Sequence, residues 1–157
     1  MKRSTHSVSH QRRRILAGLA GAALMPCGLR AAAAGVEAIV PAIRQVTAGA
    51  EVRPGKVRLA VPRLADNGNL VSCRIAVESP MTRADHVRRV ALFAERNPRP
   101  VIAVFQLGPR AGKAEIVTRI RLAGTQRVVA VAELSDGSFW SDTAEVVVTV
   151  SACLDGT

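Results

Sequence analysis

Apolar side chains recur at every second position through much of this chain, and that period commits those stretches to strands buried on one face. Val71, Cys73, Ile75 and Val77 alternate with Ser72, Arg74, Ala76 and Glu78. The same period runs through Ala114, Ile116, Thr118, Ile120 and Leu122, through Val128, Ala130, Ala132 and Leu134, and through Val146, Val148 and Val150. Further apolar runs lie at 57–61, 87–94 and 101–107. Turn signals separate them: Asp66-Asn67-Gly68-Asn69, Asn97-Pro98, Pro109 to Gly112, and Asp136-Gly137. About seven closely spaced strands with no interior helical pattern predict an all-β fold, an immunoglobulin-like antiparallel sandwich. Ahead of them, Val36, Ile39, Val40 and Ile43 can share one face of a short N-terminal helix, which Pro41 would oblige to start late.

A length of 157 residues, 48% of them apolar, suits one domain with a real core. No apolar run reaches the roughly 18 residues that a spanning helix needs, so no membrane insertion is expected. The formal charge of +10 looks like a nucleic-acid signature, but its distribution argues otherwise. Six of the 22 basic residues precede Gly35, and all 12 acidic residues follow it. Without its first 34 residues the chain carries 16 basic against 12 acidic side chains, a net +4 over 123 residues. Its basic residues stand singly along the strands, without the basic–aromatic interleaving of a single-strand binder, so no nucleic-acid partner is expected.

Residues 1–34 read as an export signal. Arg12-Arg13-Arg14-Ile15-Leu16 fits the twin-arginine pattern, and a modestly apolar stretch runs from Ile15 to Met25. Ala31 to Ala34 then supply small side chains for cleavage, which points to a periplasmic mature protein. Cys27 follows Pro26, a poor context for lipid attachment, and would leave with the leader. The expected organisation is a signal peptide at 1–34, a sandwich domain at 35–150 and a C-terminal arm at 151–157.

The mature chain is poor in catalytic side chains. Its one histidine, His86, excludes a blue-copper set and, within one chain, the multi-ligand zinc sites. Nothing around Thr82 to His86 resembles an activated nucleophile, so His86 reads as a surface or partner-contact residue. No phosphate-cradling loop or dinucleotide fingerprint is present, and no cofactor is implied. Phe139-Trp140 follows a turn and reads as core or interface filling.

The two mature cysteines differ. Cys73 falls on the apolar face of its strand, where burial makes a thiol inert. Cys153 lies beyond the last strand pattern, in a tail exposed by default. At roughly 3.3–3.6 Å per residue, four steps from Thr149 let its sulfur stand about 13–14 Å from the strand end. An unpaired thiol in an exported protein signals covalent chemistry or intermolecular pairing. From these residues alone, a disulfide to Cys73, a staple to a partner and a working thiol all remain open.

Several blocks, in order, resemble the SoxY family, the substrate-carrying subunits of the SoxYZ complex of bacterial thiosulfate oxidation. They are Pro62 to Asn69, Glu78-Ser79-Pro80-Met81-Thr82, Leu92 to Pro98, Thr118 to Ala123, Gln126, Ala130-Val131-Ala132, Ser135 to Phe139, and Val148-Thr149-Val150. The resemblance implies an immunoglobulin-like carrier without catalytic activity of its own. It would pair with a SoxZ-like subunit and serve the Sox enzymes, holding covalently bound sulfur intermediates on a cysteine near its C-terminus. The matching position is Cys153. Its neighbours Ser151-Ala152 and Leu154-Asp155 replace the glycines that flank the family's cysteine, which stiffens and widens the arm. The alternative function is a non-catalytic interaction module in which Cys153 forms a partner disulfide or is inert.

Overall fold

The computed structural model describes residues 33–152, with side chains from Ile39 onward. The twin-arginine motif, Cys27 and Cys153 with its following residues lie outside the described residues. One helix precedes nine strands: α1 (Ala33–Val46), β1 (Val52–Pro54), β2 (Val57–Ala60), β3 (Leu64–Asn67), β4 (Val71–Val77), β5 (Val87–Ala94), β6 (Val101–Gln106), β7 (Glu115–Ile120), β8 (Gln126–Leu134) and β9 (Phe139–Val150).

The strands form two sheets. The larger runs β1-β9-β8-β5-β6, with β3 also on β9; the smaller runs β2-β4-β7. Between them lies a core that includes Val71, Cys73, Ile75, Val90, Leu92, Val128, Ala130, Leu134 and Val146. The immunoglobulin-like sandwich is therefore present. Two parallel pairings depart from a purely antiparallel plan: β1 lies along the start of β9 and β3 along its end. Asp142 of β9 reaches across to the smaller sheet, accepting a hydrogen bond from the Leu59 amide at 2.7 Å.

β4 is half-buried, and its exposure alternates residue by residue. β5 instead is buried continuously from Val90 to Ala94, because α1 covers the outer face of the larger sheet. Ile39, Ala42, Ile43 and Val46 pack there on Ala91, Phe93, Val129, Val131 and Phe139, which makes a second, smaller core. The helix is longer than Pro41 suggests, beginning at Ala33 inside the alanine run expected to belong to the leader. Pro41 is exposed, so its ring does not interrupt the packed face of the helix. Val40, expected on the packed face, is 36% exposed. At the helix C-terminus Arg89 donates to the Val46 carbonyl at 2.9 Å while pairing with Glu133 at 2.6 Å. A cation there also suits the helix dipole.

Short β3 ends on Asp66-Asn67, residues that signal a turn by themselves. The ladder to β9, with Leu64 opposite Val147 and Asn67 opposite Val150, extends them instead. The turn follows immediately, with Asn69 donating its backbone amide to the Asn67 side chain at 2.8 Å.

Candidate functional site

Cys153 follows Ala152 directly, so the site is built from what holds the chain at Ala152. β9 ends at Val150, yet the backbone beyond it is still bound. The Gly68 amide donates to the Val150 carbonyl at 2.8 Å, the Leu122 amide to the Gly68 carbonyl at 2.8 Å, and the Ala152 amide to the Leu122 carbonyl at 3.0 Å. Thr149 adds a bond from its hydroxyl to the Asp66 carbonyl at 2.8 Å. Ala152 is buried and Ser151 exposed. The tail therefore does not leave the sandwich at Ser151, as its sequence suggests. One step along the chain, not four, separates Cys153 from a bound backbone position, about 3.8 Å between consecutive Cα atoms.

A polar network supports the Leu122 side of this arrangement. Gln126 is 3% exposed and fully engaged. Its Oε1 accepts from the Arg96 amide at 2.7 Å, and its Nε2 donates to Asn97 Oδ1 at 3.0 Å and to the Gly124 carbonyl at 3.2 Å. Asn97 in turn donates to the Arg121 carbonyl at 2.9 Å and accepts from the Ala123 amide at 3.0 Å. Both faces of the 121–124 loop are thus fixed. Beside it, Glu95 pairs with Arg127 at 2.8 Å, and that guanidinium holds the carboxyl below its usual pKa.

Cys73 lies elsewhere, in mid-β4 opposite Thr118, only 1% exposed and with a free thiol. Burial pushes its pKa up to about 11. An open groove of about 850 Å³ borders it between Val61-Pro62 and the β4–β7 pair, but so small an exposure does not present the sulfur there. His86, expected at the surface or at a partner contact, is half-buried. Its Nδ1 is buried without a hydrogen-bond partner, and its backbone bonds to Ser135 just past β8, away from Cys73. Phe139 is buried beneath α1, as a core filler should be. Trp140 is half-buried, with Lys56 Nζ 4.8 Å from its ring centroid and its indole N–H donating to Ser138 at 3.0 Å. These side chains are not brought together into a catalytic cluster. Among the described residues, no group of three or more His, Cys, Asp or Glu side chains is placed to hold a metal, and no helix is long and apolar enough to cross a membrane.

Gly68, Asn97, Leu122 and Gln126 matter to the site, yet their local sequence marks the first two only as turn residues. The lone buried glutamine heading a strand is the one signal of a hidden polar contact.

The family model for sulfur oxidation protein SoxY matches residues 43–153, a span that ends on the candidate cysteine. The chain belongs to the SoxY family. Among curated proteins, no sequence match is found. Among solved structures, the sulfur carrier protein SoxY from Chlorobium limicola f. thiosulfatophilum is similar at a TM-score of 0.61 and 26% identity, over 73% of this chain and 99% of that one. A superoxide reductase (neelaredoxin) from Ignicoccus hospitalis is similar at a TM-score of 0.54 and 15% identity, over 60% of this chain and 80% of that one. A putative superoxide reductase from Thermotoga maritima gives a TM-score of 0.51 at 15% identity, over 62% and 87%. At such identity the reductases share the fold alone. Membership of the SoxY family rests on the sequence match, and it confirms the family resemblance carried by the blocks from Pro62 to Val150.

Proposed function

We propose that this protein is a periplasmic carrier of thiosulfate-derived sulfur, covalently loaded on Cys153 and exported through its Arg12-Arg13-Arg14-Ile15-Leu16 leader. The observation that carries the reading is the SoxY match running to Cys153. Burial of Cys73 supports it, because a thiol with a pKa of about 11 is a poor competitor for sulfur chemistry. The solved carrier from Chlorobium limicola f. thiosulfatophilum, alike over nearly its whole length, favours the same role.

The chemistry asked of Cys153 is simple. Its thiolate joins the sulfane sulfur of thiosulfate, two electrons leave to an external acceptor, and the product is Cys–S–S–SO₃⁻. Hydrolysis with one water releases sulfate and two protons and leaves the cysteine persulfide anion, Cys–S–S⁻. The carrier supplies the sulfur atom and its tether. Electron transfer and hydrolysis belong to partner Sox enzymes, and a SoxZ-like subunit is the expected companion chain.

Tetrathionate tests the loading without a separate oxidant, since a thiolate displaces thiosulfate from it and retains the –S–SO₃⁻ group. Peptide mass analysis of the mature protein should find that group on Cys153. Loading confined to Cys73, or none, removes the carrier role. In the native host, Cys153→Ser should abolish thiosulfate-dependent growth while the partner complex survives. Loss of the complex with sulfur oxidation retained would instead identify Cys153 as a partner staple.

A further inference from the structure

We propose that Gly68 and the 121–124 loop form a seat for the root of the cysteine arm, which makes Gly68 a positioning residue for Cys153. The functional meaning of this seat rests on the carrier reading of Cys153; its physical existence does not. Gly68 uses both backbone groups at the root, its amide on the Val150 carbonyl and its carbonyl under the Leu122 amide. A Cβ at this position would overlap the Leu122 carbonyl oxygen and come within 2.8 Å of the Ala152 nitrogen. Both are backbone atoms, which cannot swing aside as the end of a long side chain does. Glycine is required here by close approach.

Any larger residue must displace either the 121–124 loop or the 150–152 segment. The loop is tied from behind by Asn97 and buried Gln126, so it resists. The segment has its hold chiefly through the seat itself, so it yields. In the seated form the arm begins after Ala152, one step along the chain from Cys153. Released back to Val150, the same cysteine stands three residues from the last fixed point, a reach of about 10 Å at roughly 3.3–3.6 Å per residue. A short tether concentrates the sulfur where a docked enzyme can meet it and lowers the ordering cost of each transfer.

Hydrogen exchange of the full mature protein tests the seat. The Ala152 amide should exchange at least about 100-fold more slowly than an unstructured amide. In Gly68→Ala its rate should rise to within about tenfold of the unstructured value, with the core amides of Ala130 and Val131 still protected. A merely structural role would loosen those core amides together with Ala152. A nitroxide attached to Cys153 in a Cys73→Ala background should also become more mobile in Gly68→Ala. Rapid Ala152 exchange in the unsubstituted protein overturns the proposal even if Gly68→Ala does not fold. So does an unchanged nitroxide signal in a folded Gly68→Ala. Failure of tetrathionate to load Cys153 would instead strike the carrier reading and leave the exchange result standing.

Discussion

At the scale of single residues, Cys73 is made inert by its surroundings. Alternation along β4 already places Cys73 on the buried face, and its exposure of 1% agrees. Desolvation of the thiolate raises its pKa from 9.0 to about 11. At pH 7 its thiolate fraction is then about 100-fold lower than at its unburied value of 9.0. Folded Cys153→Ser should therefore resist iodoacetamide at pH 7 and react once unfolded; rapid labelling of the folded form would contradict the burial. The same shift sets a pH dependence. Because the folded pKa is the higher one, the unfolded thiol ionises first as pH rises. Stability is unaffected well below pH 9 and falls between about 9 and 11, by up to about 3 kcal/mol. Cys73→Ala should lack that alkaline loss in denaturation curves measured from pH 7 to 11. Gly68 was not legible in this way. Asp66-Asn67-Gly68-Asn69 announces a turn, but the demand for glycine comes from Leu122 and Ala152, more than fifty and eighty residues further along the chain.

At the scale of elements, what the sequence reveals depends on how many faces a strand buries. β4 buries one, and its alternation reads directly. β5 and β8 bury both, between the smaller sheet and α1, which is why their apolar runs are continuous. β1 and β3 are three and four residues long and exist through pairing with β9, so no local pattern could announce them. The first half of β9 is similarly silent, since Trp140, Ser141 and Asp142 are all half-buried. α1 was legible as an amphipathic face at Ile39 and Ile43, but its tolerance of Pro41 depends on which side meets water. Phe93, fully buried under that helix, tests the two-sided burial. Phe93→Ala should cost about 3–5 kcal/mol in chemical denaturation. Val117→Ser, on the open face of the smaller sheet at 67% exposure, should stay within about 0.5 kcal/mol. Equal effects of the two would mean that α1 does not seal the larger sheet.

At the scale of the molecule, the sandwich has two unlike ends. The Asp136–Ser138 turn, His86 and the Trp140–Lys56 contact lie at one; the seat for Ala152 lies at the other, with the loops bearing Gly68, Asn97 and Leu122. Exposed Arg96 and Arg121 belong to the seat end, where, on the function proposed above, an anionic sulfur compound would arrive. Asp155, two residues past the thiol, opposes that arrival. A charge two residues away along the chain, acting through water, changes an encounter by about 1 kcal/mol or less, up to about fivefold in rate, and salt screens it. Asp155→Asn should accordingly speed loading of Cys153 by dianionic tetrathionate by up to about fivefold at about 10 mM ionic strength. The gain should vanish near 1 M salt, where the screening length is about 3 Å, and neutral iodoacetamide should show little of it at any salt. An equal acceleration of both reagents would mean that Asp155 acts on the thiol itself, by raising its pKa, and not on the approach of the anion. The distinction matters for a carrier, because a raised thiol pKa must be overcome by each partner enzyme, whereas a repelled anion is a penalty confined to loading.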